Sequence, residues 1–141
     1  MKDTFQIMLT FDNAVKPSDN VFERFVAFDV NDLNEAVKDF NESIQYKYLV
    51  ISAHGCDDLI GTKGDDFDVS PKKLSTYLRK ITKGYTLILD ACGENDFPYG
   101  KQMSKELKGT NCISIWAAAT CYSGDFKKNV NNGTLKEIFK K

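Results

Sequence analysis

Two apolar runs, each ending in a chemically reactive residue, constrain this chain more than anything else in it. The first, Tyr48-Leu49-Val50-Ile51-Ser52-Ala53, stops at His54-Gly55; the second, Tyr85-Thr86-Leu87-Ile88-Leu89, is followed at once by Asp90-Ala91-Cys92-Gly93. Runs this short, rich in β-branched and aliphatic residues and closed by glycine, read as strands buried on both faces of a parallel sheet. In open α/β sheets the ligand crevice lies beyond the carboxyl ends of the strands. If the two strands are neighbours, Cys92 and His54, the single histidine of the chain, face one crevice. The imidazole then serves as base or electrostatic partner to the thiol, as an activated cysteine nucleophile requires.

The rest of the chain supplies further strands and helices in alternation. Residues 5–11 and 25–28 read as strands, separated by a polar loop through Pro17-Ser18-Asp19-Asn20. Asn31 or Asp32 is expected to cap a helix whose apolar face is Leu33, Ala36, Val37, Phe40 and Ile44, spaced by three and four. After His54, the short apolar pieces 59–61 and 67–69 around a glycine turn predict a small hairpin. Ser70-Pro71 is a helix start, with serine as cap and proline in the first turn, and Leu74, Tyr77, Leu78 and Ile81 form its buried stripe up to Gly84. Residues 99–108 predict a short helix closed by Gly109, with Met103 and Leu107 inward. Residues 112–119 read as a fifth strand, and Thr134 is expected to cap a terminal helix bearing Leu135, Ile138 and Phe139. This alternation predicts a three-layer α/β domain with a mainly parallel sheet, spanning 1–141 as a single domain.

Composition excludes several function classes. Charged residues make up 28% of the chain and the net charge is -1, with lysines interleaved among aspartates and glutamates. A nucleic-acid partner, which needs a gathered basic face, is not expected. No apolar run approaches the roughly 20 residues needed to cross a bilayer, so no membrane partner is expected. Met1-Lys2-Asp3-Thr4 leads into a strand rather than a leader, which points to the cytoplasm; a leader removed before Met1 would leave no trace, so secretion stays open. The cysteines are Cys56, Cys92, Cys112 and Cys121, with no CxxC pair, and reduced thiols are expected. A zinc site from His54, Cys56, Cys92 and Cys121 is disfavoured because only His54 and Cys56 are closely spaced. No phosphate loop or dinucleotide fingerprint is present, and no cofactor is expected.

A hydrophobic block ending in His-Gly, followed by another ending in Asp-Ala-Cys, resembles the signature of the caspase-like cysteine peptidases of clan CD. These include caspases, metacaspases, legumain, separase, gingipains, clostripain, CHAT domains and the self-processing domains of some toxins. The likeness reaches from the first strand to Thr120. It implies a three-layer caspase-like sandwich with helices on both faces and strand order 2-1-3-4-5, which sets the His54 and Cys92 strands side by side. It also implies a Cys92 nucleophile with His54 as its partner, and an oxyanion site made by the amides of Gly55 and Cys92. Asp90, two residues before Cys92 and so on the same face of its strand, is similar in position to the aspartate that receives a basic residue in metacaspase-like and clostripain-like members. Cleavage after Arg or Lys follows, with Asp125 as a second acidic pocket residue.

Each residue also has a plainer reading. Cys92 is otherwise a buried core cysteine, His54 a hydrogen-bonded strand end, Gly55 a turn residue, and Asp90 a paired carboxylate. Cys121, in Ala119-Thr120-Cys121-Tyr122-Ser123-Gly124, is the rival nucleophile. The function expected is a cysteine-type peptidase, a hydrolase acting on a polypeptide substrate. The alternative is a catalytically silent caspase-like module that binds a protein or peptide. A flavodoxin-like regulatory domain is a third, weaker reading. The chain is short for a self-sufficient enzyme of this kind. It reads equally as a minimal protease, a domain of a larger polypeptide, or an enzyme switched on by a partner, a ligand or cleavage, with 57–66 and 121–133 as gates.

Overall fold

The computed structural model describes residues 3–9, 23–27, 29–55, 60–61, 68–91, 98–118, 130–131 and 133–141; the side chains of residues 54, 55, 60, 61, 68, 91 and 118 are not among what it describes. Its elements are β1 (Thr4–Met8), β2 (Glu23–Val26), α1 (Val30–Glu42), β3 (Tyr48–Gly55), β4 (Ile60–Gly61), β5 (Asp68–Val69), α2 (Pro71–Leu78), β6 (Tyr85–Ala91), α3 (Pro98–Glu106), β7 (Cys112–Ala118) and β8 (Leu135–Lys140). The main sheet runs β2-β1-β3-β6-β7-β8. Its first five strands are parallel, and β8 joins β7 antiparallel at the edge.

The helices form where the sequence offers a cap and an apolar stripe. Asp29, not Asn31 or Asp32, caps α1: its side chain accepts from the Asp32 amide at 2.8 Å. Leu33, Ala36, Val37 and Phe40 are buried as their spacing demands. Ile44, expected on that face, is 96% exposed, because the backbone turns extended at Ser43 and the helical periodicity stops there. The Ser70-Pro71 start is as expected, with Ser70 Oγ accepting from the Lys73 amide at 3.1 Å. That helix ends at Leu78, well short of Gly84, and Ile81 is buried beyond it. Gly109, at φ +81°, closes the turns after α3 in a conformation that costs other residues more.

Alternation splits the sheet's side chains between two faces. Phe5, Ile7, Leu49, Ile51, Leu87, Leu89 and Ile115 share one core with the apolar residues of all three helices. Val50, Ile88 and Leu135 form a second, smaller cluster on the other face, with Tyr48, Trp116 and Val130 against it. The crossovers that contain α1, α2 and α3 each step the same way across the sheet, from β2 to β3, β3 to β6 and β6 to β7. Right-handed connections therefore put all three helices on one face. The sequence leads one to expect helices on both faces; α1, α2 and α3 cover one, and the short helical stretch at 130–131 places Val130 against the smaller cluster on the other.

The C-terminal helix is a correction. Thr134 precedes a strand, and Leu135, Ile138 and Phe139 belong to β8. Ile115 pairs with Phe139 and Trp116 with Glu137, so Ile138 is an extra residue in a bulge. The bulge brings Ile138 and Phe139 both to the helix-covered core, which imitates helical spacing. A helix of one or two turns is marginal by itself, whereas β7 offers a row of unpaired backbone groups.

Candidate functional site

The carboxyl ends of β3 and β6 lie side by side, because the two strands pair in parallel with Ser52 opposite Asp90 and Ala53 opposite Ala91. The next residue along β3 is His54. The residue after Ala91 in the sequence is Cys92, which lies outside the described residues, as do Cys56, Cys121 and Asp125. The backbone of His54 and Gly55 is still within β3, and the His54 side chain lies outside the described residues.

Past the end of β1, β3 takes a new neighbour. His54 pairs with Gly61 and Gly55 with Ile60 in antiparallel register, and β4 pairs in turn with β5. The small hairpin expected after His54 therefore holds the backbone of both residues. It is anchored from below: Val69 is fully buried, and its carbonyl accepts from the Tyr99 hydroxyl at 3.0 Å. Burial pushes the Tyr99 hydroxyl above the ordinary tyrosine range, so it stays a donor. Tyr99 lies in the first turn of α3, the helix that follows Cys92 in the chain. The hairpin that pairs with His54-Gly55 and the helix that follows Cys92 in the chain are thus joined by a buried hydrogen bond.

Asp90 is the one proposed site residue whose side chain is described, and its surroundings are unusual. It is 6% exposed on β6. Its Oδ2 accepts from the Ser52 hydroxyl at 2.8 Å. Ser52 is fully buried, and its oxygen accepts from Gln6 Nε2 at 2.7 Å. Gln6, also fully buried, accepts at Oε1 from Arg24 Nε at 3.0 Å. Burial pushes the Asp90 carboxyl up to about 7, the Ser52 hydrogen bond pulls it the other way, and no charged side chain among the described residues contributes. A buried carboxylate without a cation is costly, so this position either keeps its proton or receives a positive group.

Ser52 and Gln6 were not singled out from the sequence. Their signal was a polar residue inside an apolar run, in Phe5-Gln6-Ile7 and Ile51-Ser52-Ala53, and Ser52 stands two residues before His54 as Asp90 stands two before Cys92. Cys112 belongs to the core: it is fully buried, and burial pushes its thiol up to about 11. Among the described residues no three His, Cys, Asp or Glu side chains gather as metal ligands would. A groove lined by Asn34, Val37, Lys38, Asn41 and Lys80 lies on α1 and the turn after α2, on the helix side and away from Asp90. Compared with protein-family models, curated proteins and solved structures, the chain matches none.

Proposed function

We propose that the protein is a cysteine endopeptidase of caspase-like type that cleaves after Arg or Lys. The observation that carries this reading is the parallel β3–β6 pairing with Ala53 opposite Ala91, because His54 and Cys92 are the residues that directly follow those two. The run of parallel strands β2-β1-β3-β6-β7 supports it as well, together with a hairpin at His54-Gly55.

In this reading His54 takes the proton of the Cys92 thiol, the thiolate attacks the scissile carbonyl carbon, and a carbon–sulfur bond forms. The oxyanion that develops is met by the amides of Gly55 and Cys92. The carbon–nitrogen bond then breaks as His54 gives a proton to the leaving amine, which leaves a thioester. Water, giving a proton to His54, adds to the thioester carbonyl; the carbon–sulfur bond breaks, the carboxylic acid leaves, and the sulfur recovers its proton as the thiol. Asp90, buried and without a charged partner among the described residues, receives the guanidinium or ammonium of the residue before the cut. A charge-assisted contact of that kind offsets the burial of its carboxylate.

Hydrolysis of fluorogenic peptides varied at the residue before the cut tests this. Turnover after Arg or Lys is expected for the wild-type chain and for Cys121→Ala. Cys92→Ala and His54→Ala should lose at least a hundredfold in kcat/KM, while Asp90→Asn should lose the preference for basic residues. Turnover lost only in Cys121→Ala would move the nucleophile. No turnover by any form, with a Cys92 thiol that alkylates no faster than a buried one, would leave the silent binding module.

A further inference from the structure

The hydrogen bonds that end at Asp90 run one way across four adjacent strands. Arg24 on β2 donates to Gln6 on β1, Gln6 donates to Ser52 on β3, and Ser52 donates to Asp90 on β6. Each donor fixes the next. Arg24 has no acceptor to offer, so the Gln6 side chain must turn its oxygen to the guanidinium and its NH2 to Ser52. Ser52 accepts that NH2, and the single proton of its hydroxyl goes to Asp90. The described part of the row runs from an exposed cation on β2 to a carboxylate 6% exposed on β6.

We infer that Ser52, aligned by Gln6 and Arg24, is a positioning residue that favours the ionised, outward-accepting form of Asp90 against the effect of burial, and so sets the selectivity of the site for a cationic group. The selectivity clause rests on the reading of Asp90 as the receiver of a basic residue. Burial favours the protonated form, which is neutral and has no charge to attract a cation; a hydroxyl committed to donating favours the ionised form. Polarised hydrogen-bond chains strengthen each link in a low-dielectric interior. The alternative work for such a row is to pin strand register, since a slip by one residue would bury Arg24 or expose Gln6 and Ser52 wrongly.

Among the described residues, the Ser52 hydroxyl is the one side chain that acts on the Asp90 carboxyl. On its face of the sheet, the described side chains of the flanking strands are Tyr48, Val50 and Ser52 on β3 and Ser114 and Trp116 on β7. Of these only Tyr48 carries an ionisable group, and it lies at the opposite end of β3. All three helices are on the other face. Arg24 is the charged member of the row, and His54 and Cys92 are the titratable residues that follow in the chain.

The test is a carboxyl-detected NMR titration of Asp90 in the wild-type chain, Ser52→Ala, Ser52→Thr and Gln6→Met, with agmatine binding measured by calorimetry on the same proteins. In Ser52→Ala the Asp90 midpoint should rise by about one pH unit. Gln6→Met, which keeps the volume, should raise it less, and Ser52→Thr should return it toward wild type. Agmatine affinity at pH 7 should fall about fivefold in Ser52→Ala, as the ionised fraction does when the midpoint rises by about one unit, and recover at pH 9, a recovery that a purely structural lesion would not show. An unchanged midpoint in both Ser52→Ala and Gln6→Met overturns the inference, even if the wild-type chain binds agmatine. If the midpoints shift as stated but the wild-type chain binds no agmatine, the control of Asp90 by Ser52 stands and the reading of a basic pocket falls. Should Ser52→Ala not fold, Gln6→Met and Ser52→Thr decide the matter by the same midpoints.

Discussion

At the scale of single residues, Asp90 carries a consequence for stability that is independent of any substrate. Its carboxyl titrates near 3.8 in an open chain and is pushed up to about 7 in the fold. Between those values the folded chain holds a proton that the unfolded chain has released. Stability contributed by this group is therefore full in acid and falls as pH rises toward 7, by about 4 kcal/mol if the whole difference is realised. Asp90→Asn has no such proton to lose. Urea unfolding from pH 4.5 to 8 should show Asp90→Asn gaining on wild type as pH rises, with the gap closing in acid; a constant gap would refute the raised carboxyl. The opposite kind of residue is Phe40, fully buried between Phe5 at 6.0 Å and Tyr85 at 5.9 Å, with Lys83 Nζ 4.3 Å from its ring centre. Phe40→Ala should cost about 3–5 kcal/mol in the same experiment at any pH.

At the scale of elements, the sequence was most legible where cap and stripe agreed. Ser70-Pro71 opened α2 where its chemistry said, and Ser70→Ala should cost about 1 kcal/mol, read from the urea midpoint. Where apolar spacing stood alone it misled. Ile44 continued the stripe of α1 by number but lies past the extended Ser43, and Leu135, Ile138 and Phe139 matched a helix only because a bulge in β8 puts two neighbours on one side. A second bulge, between Tyr85 and Thr86 opposite β7, skips Ile113 and leaves it 47% exposed in a run that reads as continuous strand. Of the candidate site, the two strand ends and the hairpin at His54 could be anticipated from glycine and apolar runs. The row through Gln6 and Ser52 could not, since it depends on which strands are neighbours, a long-range fact that no local pattern encodes. The Tyr99–Val69 bond is of the same kind. Tyr99→Phe should cost about 1 kcal/mol and speed amide exchange at Gly61 and Val69 more than in the centre of β3, because it releases the hairpin from α3.

On the scale of the whole molecule, the decisive boundary is the β7–β8 edge. β7 is Cys112-Ile113-Ser114-Ile115-Trp116-Ala117-Ala118, a stretch with no charge and no proline, the type of strand that pairs with other copies when uncovered. β8 covers it along Ser114 to Ala118 and turns Lys136, Glu137 and Lys140 to solvent, which replaces an adhesive edge with a charged one. The strand is also locked from the side. A Cβ added to Gly100 in α3 would stand 2.2 Å from Ile138 Cδ1, so the glycine is what admits the bulged isoleucine against the helix. Leu135, 2% exposed, closes the smaller cluster with Val50 and Ile88 on the far face. β8 thus ties together both faces of the sheet as well as its edge. A chain ended at Gly133 should lose the roughly 1.5–3 kcal/mol from burying Leu135 together with the β7 ladder bonds, and should self-associate through the uncovered edge. Sedimentation velocity with circular dichroism on the shortened chain should show oligomers that keep their strand signal. A shortened chain that stays monomeric, with the urea midpoint of the full one, would mean that β8 is an ornament on a sheet already closed without it.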